Sequence, residues 1–320
     1  MERQLERTRG AGLIGSPGAP RFSPASLIAD LPEGTRFLLA RNQERLARFL
    51  AAFALVLIPV AVVSGVHPFA GLASLLAGLG IVVARDARKH LRDPRTAADR
   101  TLFLHWLARS SASRRRSALW LGAGLLIGVG QWTLMHAAGG IETAFERYGL
   151  IYARFEAGEH WRLLTGPWLH VSIEHYIGNL ILVTGVGTLA SSVSPRLSPA
   201  LFLIGAPVSL WLQLELGPRG LGGAAGMSGG LFTLLGFLAT AGVGVRHRLP
   251  RGLPVLVAAA AILSIAFPLI FHQPSGHVAH VGGVLLGAAV GATAARNDGR
   301  RADLTGVDGG DVAQPPRRSG

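Results

Sequence analysis

Eight apolar runs alternate with polar, arginine-rich segments along the 320 residues: 49–66, 68–84, 117–136, 170–190, 199–214, 226–245, 253–271 and 278–295. Each is about long enough to cross roughly 30 Å of hydrocarbon as a helix rising about 1.5 Å per residue. Lipid offers no hydrogen-bond partner to an exposed backbone, so helix is the form such runs must take. The pattern predicts an all-α polytopic membrane protein with eight spans, or six if the two short runs before residue 84 form a re-entrant pair.

The polar segments divide the chain. Residues 1–46 read as a basic cytoplasmic arm and 47–84 as a two-helix transmembrane hairpin turning at 64–68. Residues 85–116 read as a basic cytoplasmic linker whose 101–108 stretch carries interfacial Leu, Phe and Trp. A six-helix core follows over 117–296. The tail, 297–320, is rich in Gly, Asp, Arg and Pro and is expected to be disordered. The first 48 residues are too long and too mixed for the charged part of a secretory signal, so no cleavage is expected there. No internal repeat supports an inverted-repeat transporter.

Composition supports lipid as the solvent: 49% of residues are hydrophobic, 15% are charged and mean hydropathy is +0.39. A net charge of +13 raises nucleic acid as a partner, but placement decides against it. With the amino terminus inside and eight crossings, only Arg147, Arg154, Arg162 and Arg219 fall outside, and the other 27 of 31 basic residues fall inside. That asymmetry is the positive-inside rule, which an RNA- or DNA-binding reading leaves unexplained. Both termini are therefore expected in the cytoplasm, and the Arg-, Ala- and Gly-heavy composition suggests a bacterial plasma membrane. With no cysteine, thiolate and disulfide chemistry are excluded.

Ionisable or strongly polar side chains are costly within a membrane, which makes them candidates for function. Three groups occur: Trp161, Arg162, Thr165, His170, Glu174, His175 and Asn179 around the fourth run; Gly226 to Gly229 opening the sixth; and His277 and His280 opening the eighth. These runs all start on the outer side, so the groups lie at similar depth. His175 and Asn179, four apart, share a helix face, whereas His170 does not. Ser228 is a weak nucleophile unless a base takes its proton, and His280 can supply that base. The Ser228 backbone N–H, Asn179 amide and His175 ring can donate to the oxyanion that attack creates. Gly226, Gly229 and Gly230 clear space around Ser228, and Gly283 and Gly287 form a GxxxG pair on the His280 helix. Phe232, one turn after Ser228, lies on the same face and can pack on the His280 ring.

Over roughly 117–295 the sequence resembles the rhomboid family of intramembrane serine proteases. Trp161-Arg162 with His170, His175 and Asn179 resembles its WR…H…H…N block, Gly226-Met227-Ser228-Gly229 its GxSG motif, and Ala279-His280 with Gly283 and Gly287 its AHxxGxxxG motif. The resemblance implies a six-helix core preceded here by a hairpin, a Ser228–His280 dyad without an acidic third member, and no cofactor or metal. It also implies that 139–167 forms a loop partly embedded in the outer leaflet, and that transmembrane proteins are the substrates.

Bland readings stand beside these. Ser228 can be a small packing residue, His280 an interfacial one, and His170 a structural support for the loop bearing Trp161 and Arg162. A catalytically silent relative that binds transmembrane helices is the alternative function. A zinc protease using His170, Glu174 and His175 fails on spacing, because those histidines are five apart and H-E-x-x-H places them four apart.

Overall fold

The protein is described by a computed structural model covering residues 110–218, 222–244, 249–250, 252–270 and 276–304, with short pieces between 41 and 107. The proposed hairpin at 47–84, the arm before it and the tail beyond 304 fall largely or wholly outside the described residues.

Among these residues the elements, in order, are α1 (Ser111–Ala138), α2 (Ile141–Tyr148), β1 (Leu150–Ile151), α3 (Tyr152–Glu156), α4 (Arg162–Thr165), α5 (Ile173–Val193) and α6 (Leu197–Leu216). They continue with β2 (Gly223–Ala224), α7 (Ser228–Gly244), α8 (Leu253–Ile270) and α9 (His277–Leu304). The fold is all-helical and polytopic. Ser111–Ala138, His175–Val193, Leu197–Leu216 and His277–Asn297 are long and apolar enough to cross a membrane, and Ser228–Ala241 and Leu253–Ala266 are shorter apolar helices.

Helix ends follow local chemistry. α1 starts before the apolar run because the Ser110 side chain caps it, accepting from the Ser113 N–H at 3.0 Å, and the following arginines favour helix. It ends at Gly139 in the left-handed conformation, φ 86°. α5 starts at Ile173, capped by Ser172 accepting from the His175 N–H at 3.2 Å, which leaves His170 in the preceding loop. α9 runs on to Leu304, past residue 297 where the tail was expected to begin.

α7 is the central helix. Leu234, Phe237, Leu238 and Ala241 are nearly inaccessible, and α7 packs on α5, α6, α8 and most closely on α9. The α7–α9 seam is built on glycine. A Cβ at Gly283 would stand 2.6 Å from the Gly229 carbonyl oxygen, and one at Gly287 would collide with the Thr233 carbonyl. α8 is held more lightly, chiefly by α7. Leu119, Leu126, Ile181, Leu203 and Leu285 point outward, as expected of side chains that meet lipid.

Candidate active site

The loop between α1 and α5 is organised by one buried cation. Arg162 is 1% exposed, and its guanidinium is bonded through Nε and Nη1 and faces an aromatic ring. Nε donates to Glu159 Oε2 at 2.6 Å, Nη1 donates to the carbonyls of Gly149 at 2.7 Å and Glu146 at 3.0 Å, and the guanidinium lies 4.7 Å from the Trp161 ring centre. Thr165 adds a 2.6 Å bond to the Tyr148 carbonyl. The ordered loop then presents β1 to β2 as an antiparallel pair, Leu150 opposite Ala224 and Ile151 opposite Gly223. The Gly226 N–H donates to the Gly166 carbonyl at 3.4 Å. Trp161 and Arg162 therefore act at a distance, holding the segment that delivers Ser228.

At Gly226 both the backbone conformation and the space call for glycine. Its φ is 109°, a region L side chains rarely adopt, and a Cβ would stand 2.8 Å from Cε1 of the His175 ring. The chain turns through this residue and Met227 and enters α7 at Ser228, whose N–H lies in a first turn without intrahelical acceptors.

Ser228 Oγ and His280 Nε2 are 2.9 Å apart, although 52 residues separate them. The Gly229–Gly283 contact described above sets this approach. On the far side of the pair, the Phe232 ring lies against the His280 ring with centres 4.2 Å apart and planes 21° apart. The first turn of α9 is pinned to α6 by the Ala279 N–H donating to Gln213 Oε1 at 3.1 Å. His280 Nδ1 is buried and has no hydrogen-bond partner among the described residues.

His175 and Asn179 occupy one face of α5, His175 beside Gly226 and Asn179 one turn further along. Asn179 is 6% exposed, and its Nδ2 has no partner among the described residues. A buried amide N–H left without an acceptor is costly, so it marks a place where an acceptor is expected to arrive.

His170 plays a different part. Its Nδ1 lies 3.1 Å from Gln131 Oε1, and Gln131 Nε2 donates back to the His170 carbonyl at 2.9 Å. The ring meets those of His175 and Tyr176 edge to face, 5.2 and 5.4 Å away between centres. Burial, with a smaller contribution from neighbouring His175, pushes its pKa down to about 3. It is a neutral brace that ties the loop to α1 and backs His175.

Sequence reasoning passed over Gln131, Gln213 and Tyr176, which makes a 2.9 Å bond to the Gly124 carbonyl. The signal was present: Gln131 and Gln213 are strongly polar residues inside apolar runs, the same criterion that selected His175 and Asn179.

Chemically, the arrangement joins a hydroxyl to an imidazole acceptor at a helix start and sets unpaired amide donors nearby, inside an all-helical membrane protein. The sequence model of the Rhomboid domain matches residues 157–297, which contain Arg162, His170, His175, Asn179, Ser228 and His280. The chain carries a Rhomboid domain over these residues, the domain of a family of intramembrane proteases. No curated protein matches it.

Proposed function

We propose that the protein is an intramembrane serine endopeptidase that hydrolyses peptide bonds in or beside transmembrane segments of other membrane proteins. The supporting observation is the 2.9 Å contact between Ser228 Oγ and His280 Nε2 within the Rhomboid domain. In this reading Nε2 takes the hydroxyl proton as Oγ attacks the carbonyl carbon, then returns it to the leaving amine. The Ser228 N–H, the Asn179 amide and the His175 ring stabilise the oxyanion. Water entering from the outer face hydrolyses the acyl-enzyme. Among the described residues no carboxylate bonds His280 Nδ1; in this reading the face of Phe232 steadies the imidazolium by cation–π attraction.

A helical amide is hydrogen-bonded and shielded, so the substrate must unwind at the cut. Segments with Gly, Ala or Pro near the scissile bond are the expected targets. By composition and charge placement we assign the protein to a bacterial plasma membrane, with both termini in the cytoplasm and the site near the outer face.

The test is to treat the purified full chain in detergent with a serine-directed fluorophosphonate and, separately, with a transmembrane reporter. Labelling at Ser228 together with reporter cleavage is the expected result. Reporter binding without labelling or cleavage would instead identify a silent helix-binding relative.

A further inference from the structure

A second feature lies along the first half of α1. An apolar cavity of about 500 Å³ lies between the first half of α1 and the start of α6, within the roughly 300–1,000 Å³ range of small-molecule sites. Its walls include Trp120, Ile127, Trp168, Pro199 and Phe202, and one polar cation, Arg116, stands among them.

The walls are pre-formed. The Trp120 indole N–H donates to Ser191 Oγ at 2.8 Å, the Trp120 and Phe202 rings meet edge to face at 5.4 Å, and the Trp168 ring lies 5.9 Å from that of Phe202. Leu119, Leu126 and Leu203, which also line it, are among the most exposed leucines of the protein, so the cavity communicates with the surface that meets lipid.

Arg116 is the part that the described residues leave incomplete. Its Nη1 is buried and has no hydrogen-bond partner among the described residues, and its guanidinium carbon lies 6.0 Å from the Trp106 ring centre. The two segments that supply most of the wall, 111–138 and 175–214, contain no Asp or Glu. Exposed Arg114 and Arg115 precede it, and Arg196 follows the lining residue Pro195. Among the described residues this end of the molecule has gathered positive charge and half-buried one guanidinium without an anion to meet it, a costly arrangement. The missing partner must be an acceptor-only, negatively charged group. The apolar cavity beside it calls for a hydrocarbon attached to that group.

We propose that this cavity is a binding site for an anionic glycerophospholipid of the leaflet on the arginine-rich side, with its phosphate on Arg116 and an acyl chain against Trp120, Ile127 and Phe202. A zwitterionic lipid fits the cavity equally well but offers a weaker net charge to Arg114, Arg115 and Arg116. A free phosphate satisfies the arginine and leaves the cavity unused. The site does not depend on the chemistry of Ser228.

The experiment is native mass spectrometry of the delipidated full chain in detergent, titrated with phosphatidylglycerol or with phosphatidylcholine. Phosphatidylglycerol should be retained about fivefold or more over phosphatidylcholine, the weight of a single arginine near a charged lipid surface. Arg116→Gln should erase that preference while Arg116→Lys keeps most of it. Ala123→Trp, which fills the cavity and leaves the charge, should lower retention of both lipids. Equal retention of the two lipids, or a preference that survives Arg116→Gln, overturns the proposal. So does displacement of bound lipid by inorganic phosphate at about millimolar concentration, which would reveal a soluble-anion site.

Discussion

The loop around Arg162 and the helix starts around Ser228 are both buried and both polar, yet they handle hydrogen bonds in opposite ways. Around Arg162, Nε and Nη1 are spent on Glu159, Gly149 and Glu146, and the guanidinium also faces Trp161. Around Ser228, Asn179 Nδ2 and His280 Nδ1 are left without partners among the described residues. A saturated cluster has nothing left to offer a ligand, so its value lies in rigidity. An unsaturated one carries a standing cost that a visiting carbonyl oxygen would relieve. The difference separates scaffold from candidate chemistry better than burial does.

Four outcomes would sharpen or break that division. The largest is Ser228→Ala, expected to lower cleavage of a transmembrane reporter by about 10⁴-fold or more with no fall in thermal midpoint, since the nucleophile has no substitute. Cleavage that survives would remove Ser228 from the chemistry. Next, Asn179→Ala should reduce kcat by about 10²–10³-fold with KM and folding little changed, the signature of a donor used only in the transition state. A matching loss of stability would move Asn179 to the scaffold.

Arg162→Ala should show the reverse pattern. It leaves the Gly149 and Glu146 carbonyls and Glu159 without their cation, a cost of about 3 kcal/mol or more, read as a fall of roughly 10 °C in thermal midpoint. Activity should fall in proportion to unfolding and recover on cooling. The smallest effect is Phe232→Ala, which removes a ring contact of about 0.5–1.5 kcal/mol and should cut kcat about two- to tenfold.

Acid offers a test of the scaffold that does not involve Ser228. His170 is held neutral with a pKa near 3, while in the unfolded chain it takes a proton near 6.5. The stability it contributes is full above about pH 6.5 and is lost as pH falls toward 3, because the unfolded state binds the extra proton. The thermal midpoint should decline over that window. The decline should be shallower in His170→Gln, which cannot take the proton.

Ser228, His280 and Phe232 were readable because each sits in a run where any polar or aromatic side chain stands out, and because helical spacing fixes which face it takes. His170 was read as structural, but its true setting, outside α5 and bonded to Gln131, depends on a cap at Ser172 and a contact 39 residues distant. The inward faces of the helices could not be read at all. On α5, Val183 is buried while Ile181 and Leu182 are exposed, and all three are aliphatic. Lipid and protein interior are equally apolar, so hydropathy carries no signal for which way such a helix turns. Gln131 and Gln213 were legible in principle and were missed because neither stands three or four residues from an ionisable side chain, as Asn179 does from His175.

Along the seam between α7 and α9, main chain presses on main chain, with Gly229 against Gly283 and Thr233 against Gly287. The gap between hydroxyl and imidazole is therefore inherited from two rods in direct contact, with almost no compressible side-chain cushion between them. When the surrounding bilayer thins or thickens, the strain must be absorbed elsewhere, and among the described helices α8, which packs chiefly on α7, has the most room to give.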